Sequence, residues 1–429
     1  MDLQRFFVKG QTYSADDPQL QQALEQVYDT PERPRCMCVR GGVEMYIAKH
    51  RLHVIKRMPE TGPQHDPTCP SFEHEPGLSG LGELMGESII EHSPGSFELR
   101  TRYALSRAPG RTVARAPSNA GDVTTSKHLL SLRATMHFLF QFAGFNRWSP
   151  AMEGKRNQGV LQKYLMQAAE SATTKGMPLS ERLYVPEQFN EEDKAGIARR
   201  RREKLAVLDS PEDDAFKMAL IVGEFKAHEP SPSGRKLWIK HMADAPLFIA
   251  QRTWEKMEWT YATVFEGPNI DTDQKPRVVV CALIYAKRER TYQVDAASFM
   301  LTTRTWIPID GVYELNLINT LVREKRRFIK PLRYDAKTPA VFANALLLDA
   351  AEKPVPLHVM SDRMAEKERE AKQRVLEKAG PSAWVWHNSK PMPALPSVDR
   401  PTKPFPPFIG EPPTTTPALG EVVVPPIPA

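Results

Sequence analysis

The sequence predicts an α+β protein with several domains. Its 429 residues are enough for about two or three domains of ordinary size. A hydrophobic content of 41 % and a charged content of 26 % are typical of a soluble globular chain. Strand patterns dominate the N-terminal part and residues 209–308, and mainly helical patterns separate them. Such segregated blocks favour the α+β class over a regular alternation of strands and helices.

The predicted boundaries follow changes in composition and pattern along the chain. They give an N-terminal zinc module (1–105), an exposed linker (106–128), a helical segment (129–208), an α+β domain with a mainly antiparallel sheet (209–308), a C-terminal α/β core (309–387) and a Pro-rich tail (388–429). The tail holds 13 of the 39 prolines, so we expect it to be disordered or to form polyproline helix. Its PxxP patterns offer a docking segment for a protein partner, and a passive tail is the alternative.

In the N-terminal module, residues 34–76 carry the sharpest chemical signal. Cys36 and Cys38 are one residue apart, and His65 and Cys69 follow after a predicted strand-turn-strand with glycines at 41–42. Zinc favours thiolate and imidazole ligands in a tetrahedron, and structural sites fill all four positions with protein ligands. The sequence therefore predicts that these four residues hold a structural zinc ion. Just before them, Asp17-Pro18 predicts the start of a helix.

Three alternatives compete with this zinc site. In the first, the cysteines are ordinary buried thiols beside a surface histidine. In the second, two of the cysteines form a disulfide. Nothing in the sequence indicates export, so reduced thiols are expected. Within the zinc interpretation itself, His50, His53 and His74 are rival ligands.

Net charge and hydropathy limit the classes of partner that the sequence favours. The net charge of +6 and the pI of about 9.0 indicate an anionic partner, nucleic acid first. The N-terminus has no apolar signal core. The longest strongly apolar run, residues 278–286, is too short to span a bilayer. We therefore expect a cytoplasmic protein without a membrane partner.

The helical segment contains two predicted helices joined by a basic, aromatic loop. If they form a helix-turn-helix, Arg147, Trp148, Lys155 and Arg156 meet phosphates or bases. The loop is longer than the turn of about 3–4 residues in that motif, which favours a helical hairpin with a solvated loop.

The domain that follows contains the residue types of a metal-dependent nuclease motif, which are Asp214 and then Glu224-x-Lys226. No turn separates them, and on one extended strand the two carboxylates would stand about 33 Å apart. They could not share a magnesium ion, so we interpret Glu224 and Lys226 as solvent-exposed strand residues. Cys281, in a later strand of the same domain, is interpreted as part of the core.

Residues 309–387 show the order helix, hairpin, helix, strand, which resembles the restriction-endonuclease-like core. Glu314 stands where that core has the glutamate of its first helix. The resemblance implies an Asp on the first hairpin strand and Glu-x-Lys on the second, where magnesium binds. This chain has Ala343-Asn344 and His358-Val359-Met360 in those places. The resemblance thus implies a degenerate copy that grips DNA without cutting it.

A second resemblance covers residues 1–360. The segments FFVKGQTYSADDPQLQQAL, YDTPERPRCMCV, GFNRWSPAMEGKRNQGVLQKYL and FIKPLRY are similar to those of an uncharacterised proteobacterial family, defined only as a domain of unknown function. Its members are encoded on plasmids and integrative elements. The resemblance implies a role in the biology of mobile DNA and supplies no activity or site residues.

Three functions remain open from the sequence. The first is a zinc-containing, non-catalytic nucleic-acid-binding accessory protein of mobile genetic elements, with DNA as its partner. Its predicted contacts are Lys49, Arg51, Lys56, Arg57, Arg147, Arg156, Arg326, Arg327, Lys330 and Arg333. The second is a metal-dependent nuclease that uses Glu224, Asp349 and Glu314. The third is an interaction scaffold in a conjugation or defence complex, which works through the tail and strand edges.

Overall fold

The computed structural model describes residues 4–49, 52–107, 129–209, 216–269, 274–288, 291–362, 364–380 and 383–398. The chain forms two compact units, the first ending at Ser71 and the second beginning at Phe72. Residues 72–105 of the predicted N-terminal module therefore lie in the second unit. Most of the predicted linker (108–128) and of the tail (399–429) lie outside the described residues. Within the described ranges, no helix combines the length and apolar composition needed to cross a membrane.

The first unit is a small antiparallel sheet with one helix. Its elements are β1 (Arg5–Val8), β2 (Gln11–Ser14), α1 (Leu20–Val27), β3 (Arg35–Cys36), β4 (Val43–Lys49) and β5 (His53–Arg57). The strand order is β2-β1-β3-β4-β5. Helix α1 buries Leu20, Leu24 and Val27 on one face, as the sequence predicts. It begins two residues later than expected, because Asp17 accepts a hydrogen bond from the backbone N–H of Gln19 and caps the preceding turn instead.

Among the described residues, the second unit begins with three helices and seven short strands. Its elements are β6 (Ile89–Ser93), β7 (Ser96–Leu99), β8 (Ser106–Arg107), α2 (Leu132–Phe142), β9 (Arg147–Trp148), α3 (Gln158–Glu170), β10 (Ala172–Thr174), β11 (Met177–Pro178), β12 (Leu183–Tyr184) and α4 (Lys194–Leu205). The side chains of Ser131 and Asn157 accept the capping hydrogen bonds of α2 and α3. The loop between these helices carries β9, which pairs with a strand of the C-terminal sheet. It is therefore not a free turn.

The centre of the second unit consists of β13 (Phe216–Ser231), β14 (Gly234–Ile239), β15 (Leu247–Ala250), α5 (Gln251–Thr260), α6 (Ala262–Glu266), β16 (Arg277–Arg288), β17 (Thr291–Thr302) and β18 (Pro308–Ile309). Five of these strands pair in the order β13-β14-β15-β17-β16, and β16 pairs back onto β13. The sheet thus closes into a barrel. Only β15 and β17 are parallel neighbours. The sequence predicts the antiparallel strands here and not their closure.

The barrel closes because β13 has a different partner in each half. Residues 218–224 pair with β16, and residues from Phe225 onwards pair with β14. A bulge between Phe225 and Ala227 lies at the change of partner, where an irregularity of this kind increases strand bending. Leu237, Ile249 and Val280 belong to the core inside the barrel. Met218 and Cys281 belong to the second core cluster, which also contains residues of α2 and α3.

The C-terminal elements are α7 (Leu315–Arg323), β19 (Phe328–Ile329), β20 (Ala345–Leu347), β21 (Val355–Met360), α8 (Glu366–Ala379) and β22 (Trp384–His387). Their sheet has the order β22-β21-β20-β19-β9, and only β21 and β22 are parallel neighbours. The order helix, hairpin, helix, strand agrees with the sequence-based prediction. The beginning of the predicted tail packs back onto this part, because the indole of Trp384 donates to the carbonyl of Ala394 at 2.9 Å.

Gly223 lies next to the point where β13 changes partner. A Cβ atom at this position would lie 2.8 Å from Cγ2 of Ile239 and 3.3 Å from Cδ of Pro186. We expect Gly223→Ala to lower the free energy of unfolding by about 1–3 kcal/mol, because the added methyl group overpacks the barrel wall. Chemical denaturation measures the change.

Gly159, in the first turn of α3, provides the matched control. The nearest atom to a Cβ there is 3.5 Å away, and alanine favours a helix over glycine by about 0.8–1 kcal/mol. Gly159→Ala should therefore leave stability unchanged or raise it. Equal stabilities of the two variants would contradict a steric constraint at Gly223.

Candidate metal centre

The first pair of predicted ligands lies at the loop between β3 and β4. Cys36 is the last residue of β3, and Cys38 lies in the turn that follows. The chain returns through Gly41 and Gly42, whose φ angles are +83° and +69°, a region that favours glycine. A Cβ atom at Gly42 would also lie 3.3 Å from the carbonyl oxygen of Cys36. The two glycines thus permit the tight loop that carries both thiols.

The second pair is positioned by local hydrogen bonds. His65 follows a single 3-10 turn, Gly62–Gln64. The side chain of Asp66 accepts hydrogen bonds from the N–H and hydroxyl of Thr68, at 2.8 and 2.6 Å. The N–H of Cys69 donates to the carbonyl of Asp66 at 2.8 Å. This turn places His65 and Cys69 on the same side of the segment.

The four predicted side chains converge. All four are buried, and their ligand atoms lie within 4.8 Å of one another. Sγ of Cys36 is 3.7 Å from Sγ of Cys69. Nδ1 of His65 is 3.2 Å from Sγ of Cys38 and 3.8 Å from Sγ of Cys69. A tetrahedral zinc ion with ordinary bond lengths requires separations of about 3.8 Å between sulfurs and about 3.6 Å between sulfur and nitrogen. The cluster therefore fits a structural zinc site, as predicted.

The same geometry decides between the alternatives. A disulfide needs sulfur atoms about 2.05 Å apart, and all four cysteines are free. His65 is buried and not at the surface. Of the rival histidines, His53 packs against the ring of Tyr28 and Nδ1 of His74 lies 2.8 Å from the carbonyl oxygen of Glu75. His50 lies outside the described residues.

Electrostatics in the cluster favour a cation. Hydrogen bonds from Cys38 and Cys69 lower the pKa of the Cys36 thiol. The same hydrogen bonds to Cys36 raise the pKa of Cys38 to about 12 and that of Cys69 further above its usual range. Without a metal, the cluster thus stabilises one thiolate. A coordinated zinc ion deprotonates its thiol ligands outright. All three cysteines therefore become thiolates only when the ion is bound.

Sequence reasoning missed the residue that supports these sulfurs. Nε2 of Gln4 donates to Sγ of Cys36 at 3.2 Å and to Oγ of Ser71 at 2.8 Å, and it lies 3.6 Å from Sγ of Cys69. The N–H of Ser71 also donates to Cys69 at 3.4 Å. Such donors orient metal ligands and tune their basicity. A single glutamine far from the ligands in sequence gives no pattern that would identify it.

The structure places the predicted basic contacts of the first unit on its outer hairpin. Lys49 is exposed, with Nζ 5.4 Å from the ring centroid of Tyr28. Lys56 and Arg57 are half-buried on β5, and Arg57 donates to the carbonyl of Ser71 at 3.4 Å. Arg51 lies outside the described residues.

Two of the three basic residues predicted in the loop between α2 and α3 donate hydrogen bonds to backbone carbonyls. Arg147 donates to the carbonyl of Phe72. Arg156 donates to the carbonyls of Gly144 at 3.0 Å, Phe145 at 3.2 Å and Thr305 at 3.3 Å. Burial lowers the pKa of Arg156 to about 9. These contacts give the Arg156 guanidinium a structural role that needs no phosphate ligand.

The predicted basic residues near the C-terminus lie mostly in ion pairs. Buried Arg326 pairs with Asp349 at 2.8 Å, and the N–H of Arg327 donates to the same carboxylate. Lys330, only 1 % exposed, lies 2.6 Å from Asp310 and 3.3 Å from Glu314. Arg333 is 2.8 Å from the same Asp310 carboxylate. These cations neutralise carboxylates of the fold.

Each carboxylate of the nuclease alternative pairs with its own cation. Asp349 pairs with Arg326 and Glu314 with Lys330. Glu224 lies 2.6 Å from Arg277 and 3.2 Å from Lys240. With a side chain 15 % exposed, it is not the solvent-exposed residue that the sequence predicts. Among the described residues, the only cluster suited to a metal ion is the Cys3His set. Asp214 lies outside them.

A family model described as "Protein of unknown function (DUF1173)" matches residues 6–389. The chain belongs to this family. The predicted relation to a domain of unknown function is therefore confirmed. No curated protein and no solved structure matches the chain significantly. The DUF1173 description assigns no activity, so function must be argued from the structure.

For this DUF1173 chain we expect about one zinc ion per molecule by elemental analysis. Cys36→Ser should abolish zinc binding and unfold the first unit, because metal binding in such sites supplies folding free energy. Cys281→Ala is the matched control, since Cys281 lies in the core of the second unit and is not one of the four clustered residues. A Cys36→Ser protein with full zinc content would contradict the site.

Gln4→Leu should weaken zinc binding by roughly 10- to 100-fold, because it removes the N–H donors to the ligand sulfurs. Competition with a chromophoric chelator measures the affinity. Gln22→Leu, on the exposed side of α1, should leave it unchanged. Identical affinities in both variants would show that the bonds from Gln4 do not support the site.

Proposed function

We propose that the protein binds nucleic acid without cleaving it, and that zinc has a structural role in the first unit. The observation that carries this proposal is the topology of the barrel. Counted along the chain, its strands have the closed order 1-2-3-5-4, with α5 and α6 between the third and fourth strands. This is the arrangement of the oligonucleotide- and oligosaccharide-binding fold, whose second and third strands form the binding face.

The charge of the chain favours nucleic acid over oligosaccharide as the ligand. A net charge of +6 and a pI of about 9.0 attract a polyanion. The resemblance of the chain to a family encoded on plasmids and integrative elements supports DNA, in the cytoplasm, as the partner. The Pro-rich segment 388–429 is the proposed docking segment for a protein partner.

Features of the C-terminal sheet support the absence of cleavage. The order of its elements supports the proposed restriction-endonuclease-like core, which would need carboxylates where this chain has Asn344 and His358. The buried Glu314 carboxylate accepts from the side chain of Asn344 and lies 3.3 Å from the ammonium of Lys330. Lys372 donates to Oδ1 of Asn344 at 2.9 Å. If the C-terminal sheet is such a core, the Lys330 ammonium beside Glu314 takes the place of the divalent cation that a nuclease needs.

The proposal predicts binding that weakens steeply with salt. Fluorescence anisotropy of labelled 20-nucleotide single strands and 20-base-pair duplexes should show an affinity that falls log-linearly with salt. The expected slope is about −0.7 to −0.9 per phosphate contacted, because binding releases condensed counterions. The same oligonucleotides should stay intact with magnesium or manganese. No binding at low ionic strength would contradict the first half of the proposal, and metal-dependent cutting would contradict the second.

A further inference from the structure

The barrel has two outer faces that differ in their surroundings. Outward-facing residues in the first half of β13 and on β16, such as Leu220 and Leu283, are buried in a core cluster shared with α2 and α3. The outward-facing residues of β14 and β15 belong to neither core cluster. Among the described residues, the outer surface of the second and third strands of the barrel is therefore covered by neither core cluster.

Strand alternation identifies the residues of that surface. On β14, Leu237 and Ile239 are buried inside the barrel, so Lys236 and Trp238 point outward. On β15, Leu247 and Ile249 are buried, so Phe248 points outward. Lys236 lies opposite Phe248, and Phe248 lies opposite Gln293 of β17. We name the surface formed by Lys236, Trp238, Phe248 and Gln293 the β14–β15 face.

Trp238 and Phe248 are unusual for large aromatic residues because they are half-buried without joining a core. They occupy diagonal positions on neighbouring strands, a separation of about 7–8 Å that aromatic side chains can bridge. The two half-buried rings therefore offer an aromatic platform on the outer side of the sheet.

Three of the described lysines lie on or next to the strands of this platform. Lys236 makes no ion pair with any described residue, and Lys226 on β13 is exposed. Lys240 lies 3.2 Å from Glu224, with 43 % of its side chain accessible. Glu229, opposite Lys236, partly offsets this charge. Aromatic rings with lysines beside them match the two parts of a nucleotide chain, since bases stack on rings and phosphates pair with ammonium groups.

We propose that the β14–β15 face binds single-stranded nucleic acid, with bases stacked on Trp238 and Phe248 and a phosphate at Lys236. The inference rests on the proposed function and specifies its ligand. A duplex keeps its bases stacked on one another and does not expose their flat faces to such a platform. A single strand does, and stacking of this kind tolerates any base.

Trp238→Leu and Phe248→Leu should each weaken binding of the full-length protein to a labelled oligo-dT 20-mer by about 5- to 150-fold, the loss that base stacking implies. Their salt slopes should stay unchanged. Lys236→Gln should instead reduce the slope by about 0.7, because one phosphate contact is lost. Trp238→Phe should retain binding, since a stacking ring remains and the core is untouched.

Trp259→Leu is the matched control, because Trp259 on α5 is 84 % exposed and lies outside the β14–β15 face. It should bind oligo-dT like the unaltered protein. Zinc content and thermal melts of all variants show whether they are folded.

Several results would overturn the inference. If the folded Trp238→Leu and Phe248→Leu variants keep the affinity of the unaltered protein, the β14–β15 face is not the site, although the proposed function stands. Equal affinity of the unaltered protein for a 20-base-pair duplex would remove the preference for single strands. Displacement of oligo-dT by a neutral glucan oligosaccharide would identify a carbohydrate face. Absence of any oligonucleotide binding would contradict the proposed function itself.

Discussion

The second unit depends on one strand that is hydrogen-bonded to two different partners. The first half of β13 pairs with β16 and its second half with β14, and this closes the barrel. Because Gly223 has no side chain, β13 can approach Ile239 and Pro186 closely next to the change of partner. The half of β13 that pairs with β16 is covered by helices, whereas the outer faces of β14 and β15 join neither core cluster of the described residues. One backbone constraint thus determines both the barrel and the surface to which we assign binding.

Local patterns in the sequence predict much of the secondary structure and little of its pairing. Alternation identifies the strands of the barrel, but it does not indicate that Val222 pairs with Cys281. A clue was nevertheless present. Residues 218–222 form a continuous apolar run, which is typical of a strand covered on both faces. The loop between α2 and α3 reads as solvated because its two-residue strand β9 is too short to give any pattern.

The same limit explains the predicted sites. The zinc ligands were predictable because cysteine is rare in this chain and its chemistry is specific. The ion pairs of the basic residues were not predictable, since a sequence does not show that Arg326 contacts Asp349 or that Lys330 contacts Asp310. Trp238 was missed because an aromatic residue in a strand usually belongs to the core. The available signal was its spacing from Lys236, because period-two alternation places these two residues on the same side of β14.

The two units satisfy buried ionisable groups in opposite ways. In the first, three thiols become thiolates together only around a dication, so the metal completes the fold. In the second, Lys330 neutralises the buried Glu314 carboxylate. Asn344 donates a hydrogen bond to Glu314 and accepts one from Lys372. Burial lowers the pKa of Lys372 to about 7. A buried carboxylate needs a cationic partner, and here the chain supplies its own. A divalent ion at Glu314 would therefore have to displace Lys330 from this carboxylate.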